Sequence, residues 1–240
     1  MAARLPNAGP TRSSAGVISF SLDGTGDGVT LEGPELIVIG FSGRDGALVE
    51  RHISELAALG VPRPPQVPMV WKLPSRLLLQ GDHVTVDSDA TSGEAEPVLI
   101  VRGKDHFLAV GSDHTDRELE RNSIEDAKLA CPKVISRTCW RIDDIAKRWD
   151  ELLLRSTVNA AGVERDYQVG TLRELLPLEG LLEIAGGGER VVFCGTLPVK
   201  DTLDTTVSSF RAELFDPRTG RGLICAYTIG RRVRPTPLST

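Results

Sequence analysis

Glu94 and Glu96 are separated by one residue, and Asp113 follows in the segment Gly111-Ser112-Asp113-His114-Thr115-Asp116-Arg117. In a strand, alternate side chains share a face, so both glutamates would point the same way. Two carboxylates on one face repel, and neither is easily buried alone. A cation between them removes the conflict, and hard oxygen ligands suit Mg, Ca or Mn. Asp113 adds a third oxygen if the chain turns back through Gly103-Lys104-Asp105. The spacing therefore points to a divalent-metal site of Glu94, Glu96 and Asp113. The plainer alternative is a solvated strand face, with Asp113, Asp116 and Arg117 forming a surface ion pair or a helix cap.

A second pair lies upstream. In residues 47–60 the apolar positions Leu48, Val49, Ile53, Leu56 and Leu59 fall on one helical face, and Gly60 and Pro62 close the run. His52 and Glu55 are neighbours at i and i+3 on that helix. Local sequence favours a surface ion pair. The functional alternative is a dyad in which Glu55 orients His52 as a general base for water. Residues 191–198 read as a buried strand running into the Gly195-Thr196 loop, whose free amides suit an anionic oxygen. An ordinary strand-to-turn exit is the other reading.

These residues must be held by a mainly β scaffold. The 240-residue chain is long enough for a sizeable core. Apolar runs at 36–41, 69–72, 83–86, 98–101, 107–110 and 191–194 read as strands, and 209–215 with 222–228 as a hairpin. Pro97 marks a strand start or an edge strand. Residues 142–154 are expected as an amphipathic helix, with Asp143 and Asp144 in its first turn; 171–176 reads as a shorter helix. No strand–helix alternation or phosphate-loop signature is present, which argues against a dinucleotide-binding fold. The expected division is a disordered tail at 1–15, one catalytic domain at 16–230 and a loose tail at 231–240.

Composition narrows the partners. The net charge is −5, without the basic stripe of a nucleic-acid binder. No apolar run approaches the ~20 residues that span a bilayer, and the N-terminus has no apolar signal core. Neither nucleic acid nor membrane is expected as a partner. Four cysteines without Cys-x-x-Cys spacing suggest thiols in a reducing cytoplasm.

Taken together, the segments resemble the fumarylacetoacetate hydrolase superfamily. Arg51-His52-Ile53-Ser54-Glu55-Leu56, then Val70-Trp71-Lys72-Leu73-Pro74-Ser75, is similar to that family's His-x-x-Glu segment and the Lys-Pro-Ser strand after it. Glu94-Ala95-Glu96 resembles its metal pair, and Ser112-Asp113-His114-Thr115-Asp116-Arg117 its third-ligand segment. Lys128 stands where the family keeps an active-site lysine. Tyr167-Gln168-Val169-Gly170-Thr171 and Cys194-Gly195-Thr196-Leu197-Pro198 resemble two further elements. The departures are a short gap from Glu96 to Asp113 and Leu129-Ala130-Cys131-Pro132 after the lysine.

The resemblance implies a mixed β-roll or β-sandwich with some α, homodimeric, with Mg or Mn on Glu94, Glu96 and Asp113. It implies a small carboxylic acid substrate and hydrolysis of a C–C bond in a 1,3-dicarbonyl or acylpyruvate-like acid through a metal-bound enolate. His52, Glu55 and Lys128 would be catalytic; Lys72, Arg117, Gln168, Gly195 and Thr196 would bind substrate. The alternatives are a 2-oxo acid decarboxylase, a hydratase or dehydratase, and a non-catalytic ligand binder. Cysteine chemistry is a further rival, because Cys131 lies near Lys128, where a cation would lower a thiol pKa.

Overall fold

The computed structural model describes residues 16–58, 60–200 and 204–232. The tail expected at 1–15, Leu59 of the helix face and most of the C-terminal tail lie outside the described residues. Arg231 is the last residue of a strand, Arg221–Arg231.

A ten-stranded mixed sheet forms the body. Across it run Gly28–Glu32, Val17–Leu22, Thr138–Arg141, Asp105–Asp113, Ala95–Arg102, Glu189–Phe193, Glu35–Gly40 and Met69–Leu73. Lys133–Ile135 pairs beside the end of Asp105–Asp113, and Leu78–Leu79 pairs with it. A five-stranded sheet runs Val163–Thr171, Leu153–Ala160, Val207–Asp216, Arg221–Arg231 and His83–Val86. One core cluster joins the two sheets, with Leu99, Leu108 and Val110 meeting Leu154, Phe210, Leu214 and Leu223. The second, around Phe20, Leu31, Val38, Ile100, Phe107 and Phe193, draws almost wholly on the ten-stranded sheet. That sheet therefore curls over its own outer face, as a β-roll does. The strands at 98–101 and 191–193 are buried on both faces and read as unbroken apolar runs for that reason.

The expected hairpin is present. Ala95–Arg102 pairs antiparallel with Asp105–Asp113, from Ala95 opposite Ser112 to Arg102 opposite Asp105. The strand carrying the glutamates is central, however, and not an edge. Pro97 is tolerated because the ladder to Glu189–Phe193 begins one residue later, at Val98, while the Pro97 carbonyl accepts a hydrogen bond from Cys194 N–H at 3.1 Å. Its missing N–H falls where that neighbour turns away at Gly195 (φ +94).

The helix expected over 142–154 is shorter. One turn, Ile142–Ile145, passes into a 3-10 segment, Ala146–Glu151, with non-helical backbone at Arg148. From Leu153 the pattern changes period: Leu154, Ser156, Val158 and Ala160 alternate inward in a strand. The leucines at 152–154 satisfy a helical and a strand pattern equally, and pairing with two neighbours selects the strand. At 171–176 a 3-10 turn, Leu172–Glu174, stands in place of a helix, and the regular helix follows at Leu178–Ala185. Helix Gly46–Ala58 matches its expected position.

Gly111 lies opposite Glu96 in the central hairpin. A Cβ there would stand 2.7 Å from the Val134 carbonyl oxygen and 2.7 Å from the Phe193 ring. Gly111→Ala should therefore destabilise the fold by about 1–3 kcal/mol. Gly180→Ala, on a helical glycine with open space around it, should be neutral or stabilising by up to ~1 kcal/mol. Urea unfolding midpoints of the two variants test the contrast, and equal midpoints would refute this account of Gly111.

Candidate metal centre

The hairpin register brings the acidic residues together. Glu94 directly precedes the Ala95–Arg102 strand, Glu96 is its second residue, and Asp113 ends the return strand. Asp113 N–H donates to the Glu94 carbonyl at 3.0 Å, closing the ladder at that end. One carboxylate oxygen from each of Glu94, Glu96 and Asp113 lies within 4.8 Å of the others. Glu96 is 2% exposed and Asp113 0%.

Three cations surround this cluster. Lys128, on the short helix Ile124–Leu129, forms an ion pair with Asp113 Oδ2. Lys133 stands across from Asp113 in the neighbouring strand, and its Nζ lies 2.8 Å from Asp113 Oδ1. Arg117 lies 2.9 Å from Glu94 Oε1, donates to Glu120 Oε2 at 2.9 Å and to Ser92 Oγ at 2.7 Å. Burial opposes the charge on Asp113, but Lys128 and Lys133 outweigh it and hold its pKa well below the carboxylate range. Burial likewise opposes the charge on Lys128. Asp113, Glu94 and Glu96 outweigh it, so Lys128 stays an ammonium. Glu96 goes the other way: burial, then repulsion from Asp113, push its pKa up, offset only in part by Lys128 and by the Gly195 N–H.

A scaffold of neutral groups fixes the carboxylates. Gly195 N–H donates to Glu96 Oε2 at 2.8 Å. A Cβ at Gly195 would overlap Ser42 Oγ, which donates to the Cys194 carbonyl at 2.7 Å. Gln168 is fully buried and uses all four of its hydrogen-bonding positions. Its oxygen accepts from Ala95 N–H and Ser156 Oγ at 2.9 Å each. Its amide donates to Thr196 Oγ1 and the Leu197 carbonyl at 2.7 Å each. Thr196 Oγ1 in turn donates to the Ala95 carbonyl at 2.8 Å. Gln168 and Thr196 thus tie the glutamate strand to the Gly195 loop. Behind Asp113, Glu94 N–H donates to Ser112 Oγ at 3.2 Å, Ser112 Oγ meets Tyr227 Oη at 2.8 Å, and Tyr227 Oη meets His114 Nδ1 at 2.8 Å. Burial, with Lys133 and Arg117 nearby, pushes the His114 pKa down to about 3, so the ring is neutral. If Ser112 donates to Tyr227 and Tyr227 to His114 Nδ1, the His114 proton sits on Nε2, which is buried without a hydrogen-bond partner among the described residues.

The remaining residues singled out from sequence lie elsewhere. His52 and Glu55 sit on helix Gly46–Ala58, with side chains 61% and 66% exposed and His52 Nδ1 3.9 Å from Glu55 Oε2. The His52 ring also lies 6.3 Å, centre to centre, from the Phe41 ring. Lys72 faces outward and donates to Glu35 Oε1 at 3.4 Å. Asp116 caps the helix Arg117–Glu120, accepting from Glu118 and Leu119 N–H. The proximity of Cys131 to a lysine does not activate its thiol. Burial pushes the Cys131 pKa up to about 12, and Cys194 is raised by burial as well.

Lys133 was not singled out from the sequence. Its signal was a lysine opening an apolar run after Cys131-Pro132, and its partner is set by a non-local pairing. The Ser112–Tyr227–His114 chain was hidden for the same reason, since Tyr227 comes from the other sheet.

The donor set fits a divalent cation. All three donors are hard carboxylate oxygens, and Glu96 is a buried carboxylate whose charge its surroundings oppose, which an added positive charge would relieve. Chemically, the arrangement gathers negative ligands, an ammonium and a backbone N–H at one spot, a combination able to bind and polarise an anionic oxygen ligand.

Comparisons with known proteins bear on the fold. The chain is similar in structure to 2-keto-3-deoxy-D-arabinonate dehydratase complexed with magnesium and 2,5-dioxopentanoate. The identity is 14%, over 90% of this chain and 79% of that one, with a TM-score of 0.59. It is also similar to 2-hydroxyhepta-2,4-diene-1,7-dioate isomerase from Mycobacterium marinum, at 12% identity over 83% of this chain and 75% of that one, with a TM-score of 0.55. No curated protein matches the sequence. The fold is thus that of the fumarylacetoacetate hydrolase superfamily, and, with residues 39–227 matching its model, the chain belongs to the family described as "Protein of unknown function (DUF2848)".

Proposed function

We propose that the chain is a divalent-metal-dependent enzyme of small 2-oxo or 1,3-dicarbonyl carboxylic acids whose reaction develops enolate charge on a substrate oxygen. The observation that carries this is the convergence of Glu94, Glu96 and Asp113 to within 4.8 Å, with the Lys128 ammonium on Asp113. Glu94, Glu96 and Asp113 would hold Mg or Mn, which supplies Lewis-acid stabilisation of negative charge when bound. Lys128 faces all three carboxylates and keeps its proton, so its role is positive charge beside the developing enolate oxygen, not proton abstraction. Arg117 fixes Glu94, and the Gly195 N–H fixes Glu96.

C–C bond hydrolysis is the first reading of the outcome. It requires an activated water, and His52, with Glu55 3.9 Å away, is the base assigned to it. Loss of water from a hydroxylated 2-oxo acid is the second reading. It is favoured by the exposure of His52, whose side chain is 61% exposed and whose ion-pair partner is Glu55. A homodimer belongs to the proposal, and sedimentation would check it.

Calorimetric titration of the chelator-stripped protein with Mg and Mn is expected to show binding, and Glu96→Gln to abolish it without unfolding the chain. Tight binding by that variant would remove Glu96 as a ligand. Absence of binding in the parent chain would leave a ligand-binding protein without metal chemistry. On a substrate found by screening acylpyruvates and 2-oxo acids, His52→Ala should lower hydrolytic turnover by about 100-fold or more while metal affinity stays intact. Unchanged turnover would favour the dehydratase reading.

A further inference from the structure

The three cations of the cluster are not held alike. Lys133 Nζ donates to the His114 and Cys131 carbonyls, at 2.7 and 3.2 Å, besides meeting Asp113. Arg117 is held by Ser92, Glu94 and Glu120. Lys128 has one hydrogen-bond partner among the described residues, Asp113. Its other contact is the face of the Trp71 indole, with Nζ 5.5 Å from the ring centre. A cation over an aromatic face is attracted by the ring quadrupole, and the indole is the strongest of the side-chain rings.

The ring reaches Lys128 by a route that does not involve the carboxylates. Trp71 stands opposite Val38 on the edge strand Met69–Leu73 and points inward, while Lys72 points out. Two residues along that neighbouring strand, Gly40 leaves room for the indole. A Cβ at Gly40 would stand 2.5 Å from Trp71 Cζ3 and 2.8 Å from Cη2. Helix Ile124–Leu129, which carries Lys128, packs through Ile124 and Leu129 on the same core cluster that contains Trp71. Core packing therefore brings ring and ammonium together.

This contact matters once a cation is bound. A metal ion on Asp113 shares the carboxylate that anchors Lys128 and repels its ammonium. A lysine on a flexible four-carbon stem then has no hydrogen-bonded anchor of its own. The indole face draws on no carboxylate, so it is the restraint that persists. We propose that Trp71 is the positioning residue for Lys128, holding the ammonium beside the metal where an anionic substrate oxygen would lie. The proposal rests on the metal reading of the triad. Without the ring the ammonium is free to shift, and binding an anion must bring it back.

The test is calorimetry with Mn, and then with oxalate on the Mn-loaded protein, for the parent chain, Trp71→Phe and Trp71→Leu. Both variants place a smaller side chain in the core, but only phenylalanine keeps a ring face. Trp71→Leu should weaken oxalate binding about tenfold, and Trp71→Phe by less than about threefold, with Mn binding alone little changed in either. In a Lys128→Met background, Trp71→Leu should cause no further loss, because the contact it removes is already gone. Equal losses in the two Trp71 variants would overturn the proposal, as would no loss in Trp71→Leu, or a loss that persists when Lys128 is methionine. If Trp71→Leu does not fold by circular dichroism, Trp71→Met takes its place, filling the space without a ring. If Lys128→Met does not fold, the contrast between phenylalanine and leucine decides alone. Mn binding without oxalate binding in the parent chain would overturn this proposal and leave the metal reading standing. Failure of the parent chain to bind Mn would remove the metal reading itself, and is seen before any variant is made.

Discussion

Three carboxylates cannot be brought within 4.8 Å of one another, two of them buried, unless positive charge comes with them. Removing an ion from water costs several kcal/mol even after relaxation, and like charges add to that. The structure meets the constraint with Lys128, Lys133 and Arg117, each drawn from a different element. This requirement explains features that otherwise look unrelated. Two very short helices follow the return strand because their side chains must reach back over its end. The three-residue strand Lys133–Ile135, paired on one side with Leu78–Leu79, meets the last residues of Asp105–Asp113 on the other, which puts one lysine directly across from one aspartate.

Neutral groups then convert charge balance into fixed geometry. Gln168 crosses from the five-stranded sheet to the body and holds Ala95, between the two glutamates, to Leu197 beyond the Gly195 turn. Its four bonds leave no capacity for a ligand, so its value to the site is indirect. The turn at Gly195 aims an N–H at Glu96, and only glycine fits the space beside Ser42 with that backbone. Such fixing sets the cluster apart from a solvated acidic patch, while Asp113 Oδ1 is buried without a hydrogen-bond partner among the described residues.

The legible part of this site was the part encoded locally. The glutamates share a face because strands have period two, and Asp113 joins them because a tight hairpin returns the chain to the same end. Helix Gly46–Ala58 was legible from its apolar stripe and its glycine stop. What the sequence hid depends on pairing between distant segments. Lys133 acquires its partner from register, Tyr227 from sheet packing, and Leu153 its strand conformation from neighbours on both sides. Residues 142–154 show the limit most clearly, since three consecutive leucines carry no period and tertiary pairing decides between helix and strand.

The placement of His52 separates two functions that share this scaffold. On the proposed reading, ligand capture and charge stabilisation would fall to the strands, turns and two short helices around Asp113. The group assigned to water lies on an exposed helix, bound to its own neighbour Glu55 by a pair 3.9 Å apart. An exposed pair at that distance contributes little to orienting an imidazole. On the proposed reading, enolate formation would draw on the rigid part alone, whereas hydrolysis would need that helix to deliver a base. On that reading, the choice between hydrolase and lyase turns on helix Gly46–Ala58.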